Sequence, residues 1–356
     1  MKKFLKITGI FLAFSALISA QESQDYLKNI SFHTGWRNRY IDRVDEDSNR
    51  IGNAGFKGGN RNRSRWRNTM NGTVVLKDEW GLESNFRLLR NQDAIYGKPS
   101  QRTLENEVWE TEINFSKNIK LGNLNTKWFL GWENKTNKSR NNKTSGSYKT
   151  TGDSNEFYFG PNFNFKLFGQ NIDTDIHAVY FNSRNKKTGD YYLQGSELVG
   201  GKGEGWGINL NIRNKKDIFK GKMGTVSYGI DLVNKFRATD KKVLATKEKA
   251  RSNVYMDYIT KIIYTTPNFA GFSGEISFEN EYEKYTATSG YENTFAIWPA
   301  INYKKDFEIS TGTITLKPSI RYSALERYTV KTSKSRKTIE RNDLRTGITV
   351  SYKIKK

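Results

Sequence analysis

From Glu156 to Phe181, apolar side chains fall on every second position. Phe157, Phe159, Phe163, Phe165 and Leu167 alternate with Tyr158, Gly160, Asn162, Asn164 and Lys166. After Gly169-Gln170-Asn171 the alternation resumes with Ile172, Thr174, Ile176, Ala178 and Tyr180. A period of two sends successive side chains to opposite faces of an extended chain. Each run therefore predicts a strand with one apolar and one polar face. The pattern recurs at 30–36, 70–76, 80–88, 109–115, 124–132, 206–212 and 226–236. It continues at 254–264, 272–282, 295–303, 314–322 and 348–354, making fourteen segments in all. Each is about ten residues, the length a tilted strand needs to cross a bilayer.

The connections between these segments alternate in length. Short ones fall near 77–79, 118–123, 169–171, 215–222, 265–271 and 306–313. Long ones fall near 38–65, 91–103, 134–153, 183–204, 237–252, 284–292 and 325–343. Six turns and seven loops are what fourteen up-and-down strands require, and both termini then lie on the short-turn side. Transmembrane barrels have this asymmetry, and a closed barrel pairs every backbone group in lipid. The predicted fold is therefore all-β: a transmembrane antiparallel up-and-down β-barrel of about 14 strands. Twelve or sixteen strands follow if one weak pair is miscounted. Trp36, Trp80, Trp109 and Trp132 lie near predicted strand ends, where interfacial aromatic girdles belong. Pro161, Pro299 and Pro318 fall inside predicted strands and predict bulges or strand ends. Trp298 falls on the polar side of its strand, which points to a register slip there.

Composition agrees with one apolar face per strand. The 356 residues are 35% hydrophobic, with a mean hydropathy of −0.77, which is poor for a thick soluble core. Yet 13% are aromatic, unlike disordered chains. Cysteine is absent, so disulfides, thiolate metal sites and cysteine nucleophiles are excluded. MKKFLKITGIFLAFSALISA has the charged, apolar, small-residue order of a signal peptide. The predicted organisation is a signal peptide over 1–20 and a barrel over 21–356, exported to the cell outer membrane.

The formal charge of +22 falls to +19 once the three lysines of the leader are removed. The segments 37–67, 133–153, 183–205, 235–252 and 326–345, five of the long loops with their edges, hold 32 Lys/Arg against 14 Asp/Glu, nearly all of that excess. The expectation is a basic extracellular face, with Arg61, Arg63, Arg65 and Arg67 in one loop. Such a face suits lipopolysaccharide phosphates or a partner's acidic surface, or serves solubility. Nucleic acid is not an expected partner in an exported loop.

The same register turns charges of both signs inward. Glu83, Glu110, Glu112, Glu156, Asp173, Asp175, Asp257, Glu275 and Glu279 fall on the polar face, with His177. So do Arg87, Lys127, Lys166, Arg213, Lys261, Lys317 and Arg321. Such residues either filter solutes by charge or form ion pairs that stiffen the wall. Asp173, Asp175 and His177 resemble a fragment of a metal or catalytic site, but one strand supplies no third ligand or nucleophile. Ser31 and His33 both face inward, away from lipid, which argues against a barrel lipase. No metal, cofactor or covalent chemistry is expected.

The exported N-terminus, the lack of cysteine, the alternating strands and the length together resemble the OmpG-like porins. This group includes the FomA-type major porins of fusobacteria. The resemblance covers 21–356 as architecture. It implies a passive diffusion channel for small hydrophilic solutes and ions, with an adhesive barrel as the alternative. Oligomeric state stays open between monomer and trimer. The chain departs from many such barrels in ending on Lys355-Lys356 after Tyr352, rather than on an aromatic residue.

Overall fold

The alternation becomes a wall that closes on itself. A computed structural model describes residues 27–44, 62–98, 101–141, 149–185, 192–194, 197–199, 202–245, 248–286, 290–331 and 336–355. The predicted leader and Arg61 lie outside the described residues. The first seven wall strands are β1 (Leu27–Val44), β2 (Asn62–Lys77), β3 (Leu82–Lys98), β4 (Gln101–Leu121), β5 (Leu124–Asn141), β6 (Lys149–Leu167) and β7 (Gln170–Asn185). Next come β8 (Lys202–Gly221), β9 (Gly224–Ala245), β10 (Glu248–Thr265) and β11 (Phe272–Tyr285). Two strands are interrupted: β12 (Tyr291–Tyr303 with Lys305–Ile309) and β13 (Gly312–Tyr322 with Leu325–Lys331). The last is β14 (Arg336–Ile354). Each pairs antiparallel with its neighbours, and β14 returns to β1 from Asn29↔Lys353 to Val44↔Ile339. The result is a closed 14-strand antiparallel barrel among the described residues. A two-stranded hairpin, Tyr192–Gln194 with Glu197–Val199, forms a separate small sheet in the β7–β8 connection and lies against β6, β7 and β9.

The wall is taller than the alternation alone predicts. Unbroken strands run from 14 residues in β11 to 22 in β9, not about ten. On β6 the outward apolar positions run from Phe157 to Leu167, and the polar Asn155 and Asp153 continue the same face. Hydropathy marks the lipid-crossing part. Backbone pairing continues past it, because an extended segment beside another still needs partners for its N–H and C=O groups. Much of what reads as loop at 91–103, 134–153, 237–252 and 325–343 is therefore wall. Arg63, Arg65 and Arg67 likewise lie on β2 rather than in a loop. At the other end the turns are tight: Gly122-Asn123, Phe168-Gly169, Lys222-Met223 and Ser310-Thr311 join their strands directly. Gly122 and Gly169 adopt φ of +57° and +71°, which only glycine takes without strain. Phe168 and Met223 in these turns, with Trp80 and Phe269 in the longer connections at the same end, stand exposed, as an apolar rim at a membrane interface would.

The predicted tryptophan girdle takes a different form. Trp80 lies in a turn, whereas Trp36, Trp109 and Trp132 lie well inside their strands, near the upper edge of the apolar band. Trp36 pairs with Trp66, and Tyr180 packs on Trp206 at 5.1 Å, so outward aromatics cross several neighbouring strands.

The three prolines keep their register. Pro161, Pro299 and Pro318 pair with Trp128, Ile276 and Ile348 on one side. On the other side the ladder is open. The β6–β7 pairing skips Gly160-Pro161, and the β12–β13 pairing is broken near Pro299 and Pro318. A residue without an N–H is thus placed where no ladder bond is lost. Nor does the register slip at Trp298. It faces inward and is 2% exposed, with the guanidiniums of Arg321 and Arg345 at 4.4 and 4.2 Å from its ring. Cation–π contact explains an inward tryptophan where period-two reading finds only a misfit.

Tyr352, near the C-terminus, is 1% exposed. Its hydroxyl donates to the Thr311 carbonyl at 3.0 Å and lies 2.8 Å from Thr311 Oγ1. Its ring covers Gly312, where an added Cβ would meet Tyr352 Cε2 at 2.8 Å. The final strand is thereby latched to the β12–β13 turn. Tyr352→Phe should cost about 1 kcal/mol of unfolding free energy. Tyr352→Ala should cost about 3 kcal/mol or more, read from urea titration of the folded barrel. A wild-type midpoint for the alanine variant would dismiss the latch.

Candidate functional site: the charged barrel interior

One cavity identifies the inner face. A space of about 380 Å³ is lined by side chains from β1 and from β10 to β14, including Arg39, Lys261, Glu279, Trp298, Arg321 and Arg345. Cross-strand partners share a face, so the pairing register carries this assignment around the wall. By that register all seventeen residues predicted to face inward do so: the acidic, basic and histidine positions given above. For Lys166, Glu275 and Lys317 the placement rests on register alone.

Most of these charges are paired. Across β3 to β5, Glu83 is held between Lys28 at 2.5 Å and Lys127 at 2.8 Å. Glu110 receives Arg87 at 3.2 Å and Lys135 at 3.4 Å. Glu112 accepts the Tyr158 hydroxyl at 2.7 Å. The Tyr158 ring lies over Gly131, where a Cβ would come within 2.2 Å of it. On β2, Arg65 binds Asp93 at 2.6 Å and Arg67 donates to Asn91 at 2.8 Å.

Across β6 to β9, Arg213 takes both carboxylates of the Asp-x-Asp-x-His run. It bonds Asp173 at 2.8 Å and also pairs with Asp175. Asn162 Nδ2 donates to both aspartates at 2.7 Å. His177 instead stacks on Tyr158, with ring centroids 5.2 Å apart. The three residues therefore share a face but belong to two different contacts. Glu156 meets Arg237 with both carboxylate oxygens 2.9 Å from Nη2, in the most buried ion pair of this sector among the described residues. His33 sits over Gly35 and Gly347, with Nδ1 2.9 Å from Thr349 Oγ1.

Around the cavity, Arg321 pairs with Glu279, and Lys261 lies 3.6 Å from the same carboxylate. Asp343, fully buried, serves Arg37, Arg39 and Arg345. Glu326, 1% exposed, serves Arg39 at 3.4 Å and Arg341 at 2.7 Å. Opposite them, oxygens of Asp257, Glu281 and Glu283 lie within 4.8 Å of one another. Sequence reading places Asp257 here but misses the other two. It also misses Arg37, Arg39, Arg237, Glu326, Arg341, Asp343 and Arg345, whose segments read as loops. The signal was available in alternation of charge rather than of hydropathy: Arg341, Asp343 and Arg345 sit on odd positions, with Asn342 and Leu344 between them. Part of the basicity expected on extracellular loops, Arg37, Arg39, Arg65, Arg67, Arg237, Arg341 and Arg345 among the described residues, is instead turned into the barrel.

No protein-family model matches the chain, and no curated protein matches it in sequence. Among solved structures, it is similar to the toluene transporter TodX of P. putida, at 10% identity and a TM-score of 0.39. That alignment covers 95% of this chain and 93% of the other. It is similar to OccAB3 of Acinetobacter baumannii at 10% identity and a TM-score of 0.34, covering 92% and 99%. It is also similar to the β domain of the Bordetella autotransporter BrkA at 9% identity and a TM-score of 0.37, covering 91% and 99%.

The Glu156–Arg237 pair makes a direct test of the interior network. Removing one partner leaves the other buried and uncompensated, so Arg237→Gln should destabilise the barrel by about 3–5 kcal/mol. Adding Glu156→Gln should restore part of that loss, and the double-mutant cycle in urea should show the coupling. Additive losses would mean that the two side chains act independently.

Proposed function

We propose that the chain is an outer-membrane porin, a passive diffusion channel for small hydrophilic solutes and ions. The observation that carries this reading is a closed wall with two opposite faces. Outside is an apolar band; inside are linked Arg, Lys, Asp and Glu side chains from every sector. A polar inner face is stable where it meets water, and opposed charges along it set which solutes pass. Solutes move by diffusion along that wall, and no bond is made or broken. The architecture supports a place among the OmpG-like, FomA-type porins, with outer-membrane lipid and lipopolysaccharide as surroundings. An adhesive barrel with basic extracellular loops draws less support. Arg37, Arg39, Arg65, Arg67, Arg237, Arg341 and Arg345 face inward and are not available to an external acidic partner.

Single-channel recording of the refolded chain in a planar bilayer under a KCl gradient should give stepwise conductance. A folded but silent barrel would remove the porin reading. Glu110→Lys with Glu112→Lys frees Arg87 and Lys135 of their counter-charge and should move the reversal potential towards anion selectivity. An unchanged potential would take these residues out of the filter.

A further inference from the structure

The charges around the cavity are separated by sign. On the β14–β1 side, Arg39, Arg341 and Arg345 reach it, and Arg37 lies beside them. The carboxylates that serve these four arginines are Asp343 and Glu326, both buried in the wall. Four guanidiniums against two carboxylates leave a positive surplus. Each guanidinium also carries five N–H donors, so donors remain for a further acceptor. On the β11–β12 side the imbalance has the opposite sign. Glu283 accepts the Tyr255 hydroxyl at 2.8 Å, and Glu292 accepts the Tyr328 hydroxyl at 2.6 Å. Both donors are neutral, and Glu281 beside them enters no salt bridge among the described residues. Trp298, clamped between Arg321 and Arg345, gives a flat, fixed surface joining the two sides.

A free anion entering this space meets the glutamates, and a free cation meets the arginines. A solute carrying both charges offsets both surpluses at once. The volume of about 380 Å³ lies in the range of small-molecule sites. We propose that the cavity is a weak binding site for zwitterionic solutes of amino-acid to dipeptide size. The carboxylate lies toward Arg39, Arg341 and Arg345, and the ammonium toward Glu281, Glu283 and Glu292. As a station on a permeation path the site rests on the porin reading; as a binding site it does not.

Calorimetric titration of the folded barrel in detergent with diglycine, against neutral N-acetylglycinamide, tests the site directly. Diglycine should bind saturably and N-acetylglycinamide should not. Glu281→Gln with Glu283→Gln, and separately Arg39→Gln, should each weaken diglycine binding about tenfold or more. Glu281 and Glu283 hold no ion pair among the described residues, so the first variant should keep the wild-type folded mobility on unheated gels. Equal binding of the two probes, or undiminished binding by the variants, overturns the site. In a planar bilayer diglycine should lower the open-channel KCl current to a plateau. Binding without any KCl current would sink the porin reading and keep the site; current without diglycine binding would do the reverse.

Discussion

Everything in this molecule follows from pairing the backbone. A chain crossing hydrocarbon has no water to receive its N–H and C=O groups, so each must find a partner within the protein. The β1–β14 ladder, from Asn29↔Lys353 to Val44↔Ile339, supplies the partners that an open sheet would lack. Tyr352 then holds the final strand against the β12–β13 turn. The prolines are confined to places where the ladder is already open. The same requirement explains the height of the wall, since pairing continues above the apolar band and carries the strands well beyond it.

Closure makes an inside, and the inside collects charge. Lipid excludes ionised side chains from the outer face at membrane depth, so the alternate positions are where they accumulate. There they form local groups rather than one uniform lining. Glu83, Glu110 and Asp175 each enter salt bridges, whereas Glu281, Glu283 and Glu292 enter none among the described residues. On the porin proposal, the sectors with surplus charge are the ones that discriminate, because an offset charge contributes little field to a passing solute.

The fold and the inward-facing residues were legible from period-two alternation, because a strand's two faces are fixed by backbone geometry. All seventeen predicted inward positions keep that face. The signal fades where hydropathy stops alternating. Arg341, Asp343 and Arg345 read as loop because Asn342 and Leu344 do not form an apolar stripe. Trp298 reads as a misfit because alternation cannot anticipate two arginines on its ring. The Asp-x-Asp-x-His run divides between two contacts for a similar reason. Sharing a face does not decide which neighbour takes each side chain, and Arg213 reaches the aspartates from the next strand.

The amino-acid sequence by itself determined the barrel class, the strand order and the face each wall residue presents, since these depend on local periodicity and short connections. Only the tertiary structure decided the height of the wall, the partner of each charge and the sign-separated cavity, because those depend on the register between strands, some of which lie far apart in the chain. Arg39 and Glu326 meet 3.4 Å apart only after the first and last strands have joined.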